Sequence, residues 1–251
     1  MLRILVVEGL TDATFFKELL SRLYLGDAEV EYDRQPGRRN IPTVVRGTQS
    51  DGTLLEVEFR NQEGRSNIPD AIRELLTQGV LGIAVAQDID NGSPEQTLQS
   101  IQGTVYTHLG LNPPRGSASK KIEVEGKVIT AIPVGLYQDA ALASLGITRH
   151  ALEDYLLMLL LEDAGLRQRA PELQGLLSEI LPTVRRYDGD FDSSKELFQL
   201  VKPIVQHGFS DVGVVHKLVA DAEIGILRTV VSPLLEDIDR ALGIQSHAGS
   251  S

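Results

Sequence analysis

Glu8, Asp12, Asp88 and Asp90 are the residues whose types and spacing could do chemistry in this chain. Glu8 follows the aliphatic run 4–7 and is itself followed by Gly9, with Asp12 one helical turn further on. Asp88 and Asp90, separated by Ile89, close a second apolar run, "VLGIAVA". Residues two apart in an extended segment point to one side, so Asp88 and Asp90 form a pair. In an open parallel sheet, ligands bind beyond the carboxyl ends of the strands. If the two runs are neighbouring strands, the carboxylates converge, and like charges at close range do not all stay ionised unaided. A hard divalent cation that prefers oxygen, Mg²⁺ or Mn²⁺, is the natural neutraliser. Each acid also has a plainer use. Asp12 suits the positive end of a helix, and "DIDNG" reads as a polar loop. Their shared placement at strand ends, with a glycine directly after Glu8, favours the cation site.

The elements that must position these acids follow from periodicity. Residues 2–7 read as a buried strand, too short and too β-branched for a helix. A helix opening at Thr11 or Asp12 and running to about Tyr24 carries Phe15, Phe16, Leu19, Leu20 and Leu23 on one stripe. A hairpin is expected over 41–60 around the Asp51-Gly52 turn signal. A short helix follows, with Asn67 as its cap and Pro69 in its first turn. The strand ending at Asp88 comes next, and then a helix with Ser93 as cap and Pro94 at its first position. Two strands flank Glu125 and Gly126. From about 148 the pattern turns helical, with segments over 149–164, 172–183, 193–207, 212–222 and 223–242. Alternating strands and helices predict an α/β domain over 1–140, a mostly parallel sheet flanked by helices. A helical C-terminal part, 141–245, is expected to pack on or beside it, and 246–251 to be a disordered tail.

The 251 residues suffice for one large domain or for a medium domain with an appendage. With no cysteine, disulfides, Cys-ligated zinc and thiol catalysis are excluded. The apolar run before Glu8 is too short for a signal peptide, and "YLLMLLL" at 155–161 falls far below a membrane span. A soluble cytoplasmic protein with no membrane partner is expected. The formal net charge of −11 argues against a nonspecific nucleic-acid coat protein, because phosphate binding draws on Lys and Arg. It leaves room for an enzyme that grips a phosphodiester through a metal and a local basic patch. The basic clusters at 34–39, 119–121 and 185–186 read chiefly as solvated surface.

A hydrophobic strand ending in Glu8-Gly9, Asp12 on the next helix, and a later strand ending in Asp88-Ile89-Asp90 resemble the TOPRIM domain. That metal-binding module is shared by topoisomerases, DnaG-type primases, RecR-type proteins and nucleases of the OLD family. The resemblance is clearest over 3–92 and is closest to stand-alone and OLD-like members. It implies that Glu8 is the catalytic glutamate, as ligand or as general acid or base, and that Asp88 and Asp90 are metal ligands. Asp12 matches a further acid of nuclease-type members. "GITRHALEDYLLMLL" is similar to the helix that follows the core in OLD-like proteins, which implies Glu153 and Asp154 as second-metal ligands. Both acids also fit the early turns of a helix opened by Thr148. His150, three residues before Glu153, is left out of the site.

The same resemblance makes Lys195 the match for a lysine near the scissile phosphate, although the Ser-Ser pair before it departs from the expected spacing. Asp188, Asp190 and Asp192 imitate a calcium loop, but Ser193 and Gln199 stand where Gly and Glu are needed. Ser193 with Glu196 reads instead as a capping box. No G-x-x-x-x-G-K-[ST] motif is present, so any ATPase partner would be a separate chain. The implied function is Mg²⁺- or Mn²⁺-dependent hydrolysis of nucleic acid, DNA ahead of RNA. The alternative is a non-catalytic module that binds metal and recruits a partner.

Overall fold

The computed structural model describes residues 2–33, 41–80, 82–114, 116, 118–124, 126–168, 173–187, 191–205 and 210–243. Its strands are β1 (Leu2–Val7), β2 (Gly26–Asp33), β3 (Ile41–Thr48), β4 (Leu54–Asn61), β5 (Gly82–Asp88), β6 (Lys121–Val124) and β7 (Lys127–Val134). In the first half, the helices are α1 (Leu10–Leu23), α2 (Ile68–Thr77), α3 (Pro94–His108), α4 (Ala140–Ser144) and α5 (Glu153–Glu162). The remaining helices are α6 (Ala164–Arg167), α7 (Leu173–Tyr187), α8 (Ser194–Val205), α9 (Asp211–Asp221), α10 (Ile224–Val230) and α11 (Ser232–Leu242). The class is α/β. The expected tail, 246–251, and the basic cluster at 34–39 lie outside the described residues.

The chain divides into two compact units, one of Met1–Gln87, Pro94–Pro133 and Ser232–Ser251, the other of Asp88–Ser93 and Val134–Val231. The first unit holds the seven-stranded sheet, in the order β2-β3-β4-β1-β5-β7-β6. The sheet is mixed. β1 runs parallel to β4 and to β5, with Val6 opposite Val85. β2, β3 and β4 are joined antiparallel, as are β6 and β7.

Alternation along β1 sends Ile4 and Val6 to one face, where they meet Ile72 and Leu75 of α2 and Ile101 and Val105 of α3. On another part of the unit, Leu5 lines a small apolar cleft with Phe16 and Leu20 of α1 and with Ile238 and Leu242 of α11. Asp237 of α11 is buried and accepts both Lys120 Nζ contacts, at 2.8 and 2.7 Å, while Arg240 donates to it at 2.9 Å. Lys120 therefore ties α11 to its unit through its ammonium, although much of its side chain still faces solvent.

The second unit is built around α5. Tyr155, Leu156, Leu157, Leu159 and Leu160 are all buried, so the helix is apolar on every side and sits inside its unit. The run that was too short to cross a membrane is thus a core helix, packed by α8, α9 and α10. No helix among the described residues is long and apolar enough to cross a membrane.

Candidate functional site

The second unit gathers Asp88, Asp90, Glu153, Asp154 and Lys195. Asp88 is the last residue of β5 and is 3 % exposed. Its Oδ1 accepts the Leu152 N–H at 3.1 Å, and its Oδ2 lies 2.6 Å from Lys195 Nζ. Burial raises the Asp88 pKa, with the Lys195 ammonium pulling against that rise. Asp90 stands 3.8 Å from the same ammonium. Its backbone is left-handed, φ 53°, a region that Asp tolerates better than most residues. Two hydrogen bonds fix it there, Asp90 N–H to His150 O at 2.7 Å and His150 N–H to Asp90 O at 3.0 Å.

Glu153 opens α5, and its Oε2 is buried without a hydrogen-bond partner. Burial pushes its carboxyl up to about 7; the Asp88 charge adds to the rise and Lys195 opposes it. Burial alone would lower the Lys195 pKa, but the charges of Asp88, Glu153 and Asp90 outweigh it and raise it above the ordinary lysine value. The result is one half-buried ammonium facing the charges of three carboxylates.

Lys195 reaches this position because the segment before α8 is tied down. The Asp192 carbonyl accepts the N–H groups of Thr148 at 2.9 Å and Arg149 at 3.2 Å, and Ser194 N–H donates to Arg149 O at 3.2 Å. The Asp192 carboxylate accepts from the Thr148 hydroxyl and from Arg149 Nε. Burial works against that carboxylate, but those two hydrogen bonds and the Arg149 charge win and hold its pKa below the ordinary range. Asp192 is thus a latch to Thr148 and Arg149, whereas Asp188 and Asp190 lie outside the described residues. Ser193 Oγ accepts the Lys195 N–H at 3.2 Å, so the serine caps α8 as expected. Glu196 does not complete the capping box; it accepts from Arg149 Nη2 at 3.0 Å. Arg185, expected on a solvated surface, donates from Nε to Phe191 O at 3.1 Å and also to Leu145 O.

Asp154 is fully buried, and its Oδ2 accepts the Leu136 N–H at 2.8 Å and faces His150 Nδ1 at 3.0 Å. One carboxylate oxygen therefore ties the end of β7 to the residue that fixes Asp90. This His-Asp contact had a sequence signal, the i, i+4 spacing on a helical pattern, but that spacing is common and says nothing of burial. Gly135 makes the close approach possible. A Cβ there would sit 2.9 Å from His150 Cβ and 3.1 Å from its carbonyl carbon, and Gly135 has φ 135°. Gly135→Ala is expected to cost at least about 2 kcal/mol, through backbone strain and overpacking together. Chemical denaturation checks it; an unchanged midpoint would mean that His150 can retreat freely.

The other two expected site residues belong to the first unit. Glu8 follows β1, and its carbonyl accepts the Gly64 N–H at 2.7 Å. Asp12 lies in the first turn of α1, whose N-cap is Gly9 in an extended conformation. The Asp12 carboxylate folds back over that glycine, since a Cβ on Gly9 would meet Asp12 Oδ2 at 3.3 Å.

Among the described residues, no three His, Asp or Glu side chains converge closely enough to form a ready-made cation site. The donor chemistry still suits a hard cation. Asp88, Asp90 and Glu153 offer carboxylate oxygens, Glu153 Oε2 is buried and unpartnered, and a positive charge already stands among them. Compared with family models, with curated proteins and with solved structures, the chain matches none.

Proposed function

We propose that the protein hydrolyses phosphodiester bonds of nucleic acid with the help of Mg²⁺ or Mn²⁺, as a nuclease of the TOPRIM type. The observation that carries this reading is the lysine among carboxylates: Lys195 Nζ at 2.6 Å from Asp88 and 3.8 Å from Asp90, beside a Glu153 carboxyl held near 7. Buried acids with raised pKa values beside a half-buried ammonium are the pattern expected of a reaction centre rather than of a surface. Asp88, Asp90 and Glu153 would hold the cation, while Glu8 and Asp12 enter through the resemblance of their sequence pattern alone. When bound, a divalent cation lowers the pKa of water and screens the charge of a phosphate. Lys195 supplies a further positive charge to the phosphate oxygens as the phosphorus gains its fifth oxygen. Asp154 and the Asp192–Arg149 latch do not touch substrate; they hold Asp90 and Lys195 in place.

The test is cleavage of supercoiled plasmid and of single-stranded DNA and RNA in EDTA, Mg²⁺ or Mn²⁺, beside Asp88→Ala and Glu8→Ala. Metal-dependent cleavage is expected, with a loss of about 10²-fold or more in each variant. Cleavage that persists in Asp88→Ala would sink the assignment.

One observation favours a second reading. The ion pair of Lys195 with Asp88 balances charge without any metal. A module that recruits a partner, such as a separate ATPase, needs no more than that. No cleavage of any nucleic acid, whether or not calorimetry detects bound metal, would select this reading.

A further inference from the structure

Tyr137 stands in the loop between β7 and α4 with 42 % of its surface exposed, the reverse of what a large aromatic ring ordinarily does. A single exposed tyrosine needs no explanation by itself. The loop that carries it does. Gly135 takes φ 135°, a region open to glycine alone, and Gln138, which is not a glycine, is held at φ 63°, so both sides of the ring depend on backbone conformations that few residues adopt. The loop is pinned from several sides. Leu136 N–H donates to the buried Asp154 carboxylate at 2.8 Å, and the Tyr155 hydroxyl donates to Gly135 O at 3.3 Å. Asp139 N–H closes back on Leu136 O at 3.1 Å, and the Asp139 side chain caps α4 through Ala141 and Leu142. The Tyr137 ring itself meets His150 edge-on, centroids 5.9 Å apart and planes at 77°. His150 is the residue whose backbone fixes Asp90. The fold therefore uses unusual backbone conformations and a buried carboxylate to hold an exposed aromatic ring against His150, whose backbone is bonded to Asp90.

We propose that Tyr137 is a stacking platform for an unpaired nucleobase, so that the site takes single-stranded nucleic acid, or a strand locally unpaired, in preference to a duplex. This rests on the nucleic-acid reading above and narrows its substrate class. A pre-positioned ring stacks a base with little loss of side-chain freedom, and it accepts any base because every base has a π face. Stacked bases inside a duplex offer no such face, which is why platforms of this kind select single strands. Stacking adds contact area that does not depend on the sign of the chain's net charge.

The experiment is fluorescence anisotropy on the full chain in Ca²⁺, with a labelled 12-nucleotide oligothymidylate, the matching oligouridylate, and a 12-base-pair duplex as probes. The wild type is expected to bind the single strands more tightly than the duplex. Tyr137→Ala and Tyr137→Leu are expected to weaken single-strand binding roughly tenfold, and Tyr137→Phe to stay within about twofold of the wild type. The two single-stranded arms show whether the sugar is read as well as the base. Equal affinity of wild type and Tyr137→Ala, a Phe variant as weak as Ala, or no binding of either single strand would overturn the proposal. Wild-type hydrolysis of bis-p-nitrophenyl phosphate with Mn²⁺, measured in parallel, reports on the reaction centre alone. Its absence beside an intact Tyr137 effect removes the nuclease and leaves the platform; its presence beside an unchanged Tyr137→Ala affinity removes the platform and leaves the nuclease.

Discussion

In EDTA at pH 8, Glu153→Gln is expected to melt higher than the wild type while losing metal-dependent cleavage. The folded-state pKa of Glu153 lies at about 7, above its ordinary 4.5, because burial and the Asp88 charge disfavour the carboxylate. Between those two values the folded protein keeps a proton that the unfolded chain releases. Wild-type stability therefore falls as pH rises from about 4.5 to about 7, and the whole penalty is present above 7. The shift corresponds to roughly 3 kcal/mol, or about 6–12 °C in melting temperature for a chain of this size. Glutamine keeps the shape without the charge, so the variant should show a flat profile over that range and equal the wild type near pH 4. Thermal melts at pH 4, 6 and 8 check this; parallel curves for the two proteins would mean that Glu153 is not held in its neutral form. A site residue that weakens the resting fold is the usual compromise between function and stability.

Lys195→Met has the opposite sign and a comparable size. Asp88 is buried and has lost its contact with water, so removing the ammonium 2.6 Å away takes the counter-ion from a charge that also accepts the Leu152 N–H. Breaking a fully buried ion pair costs about 3–5 kcal/mol. The Lys195 side chain is 43 % exposed, so solvent screening reduces the figure to roughly 2–3 kcal/mol. The loss should largely vanish in the background of Asp88→Asn, because the neutral amide needs no counter-charge. Adding Mn²⁺ should raise the melting temperature of Lys195→Met more than that of the wild type, since a bound cation restores what the lysine supplied. Cleavage should fall by about 10²–10³-fold even at saturating metal. An unchanged melting temperature in EDTA would show that the pair contributes nothing. An equal Mn²⁺ response in both proteins would show that metal and lysine do not share the carboxylates.

Much of this arrangement was legible in the residues, and the parts that were not share one physical cause. β1, β5 and the hairpin of β3 and β4 announce themselves by apolar runs and an Asp-Gly turn, all of them local signals. β2 was not anticipated. Its sequence, "GDAEVEYD", lies on the sheet edge and is mostly exposed, so it carries no buried alternation to detect. α5 begins at Glu153 instead of 149 because Arg149 and His150 are drawn into bridges with Ser193 and Asp90, partners far away in sequence. The expected helix over 223–242 is two helices, α10 and α11, with Pro233 in the first turn of the second. α1 opens at Leu10, earlier than Thr11, because Gly9 takes the extended conformation of a cap.

The site divides in the same way. Strand-end acids are visible in a sequence because a carboxylate rarely closes an aliphatic run without cause. Lys195 was visible only through resemblance, since nothing near it in the chain says that its ammonium meets Asp88. Arg149 and Tyr137 gave no signal at all. One works through Asp192, 43 residues onward, and the other matters only for the loop that holds it. In two of the basic clusters, Lys120 bonds Asp237 and Arg185 bonds backbone carbonyls, which composition cannot foretell.

The return of α11 to the first unit has a consequence for how the protein is made. Asp237 is buried against Lys120, 117 positions earlier, and Ile238 and Leu242 line the cleft of Phe16 and Leu20. A ribosome therefore finishes every strand of the sheet, and the whole of the second unit, before the helix that covers Phe16 and Leu20 emerges. During that interval the nascent sheet has an uncovered apolar flank, while the second unit already has all its residues. The order of synthesis thus runs against the order of the fold, and the helix that seals the first unit is translated after the whole of the second.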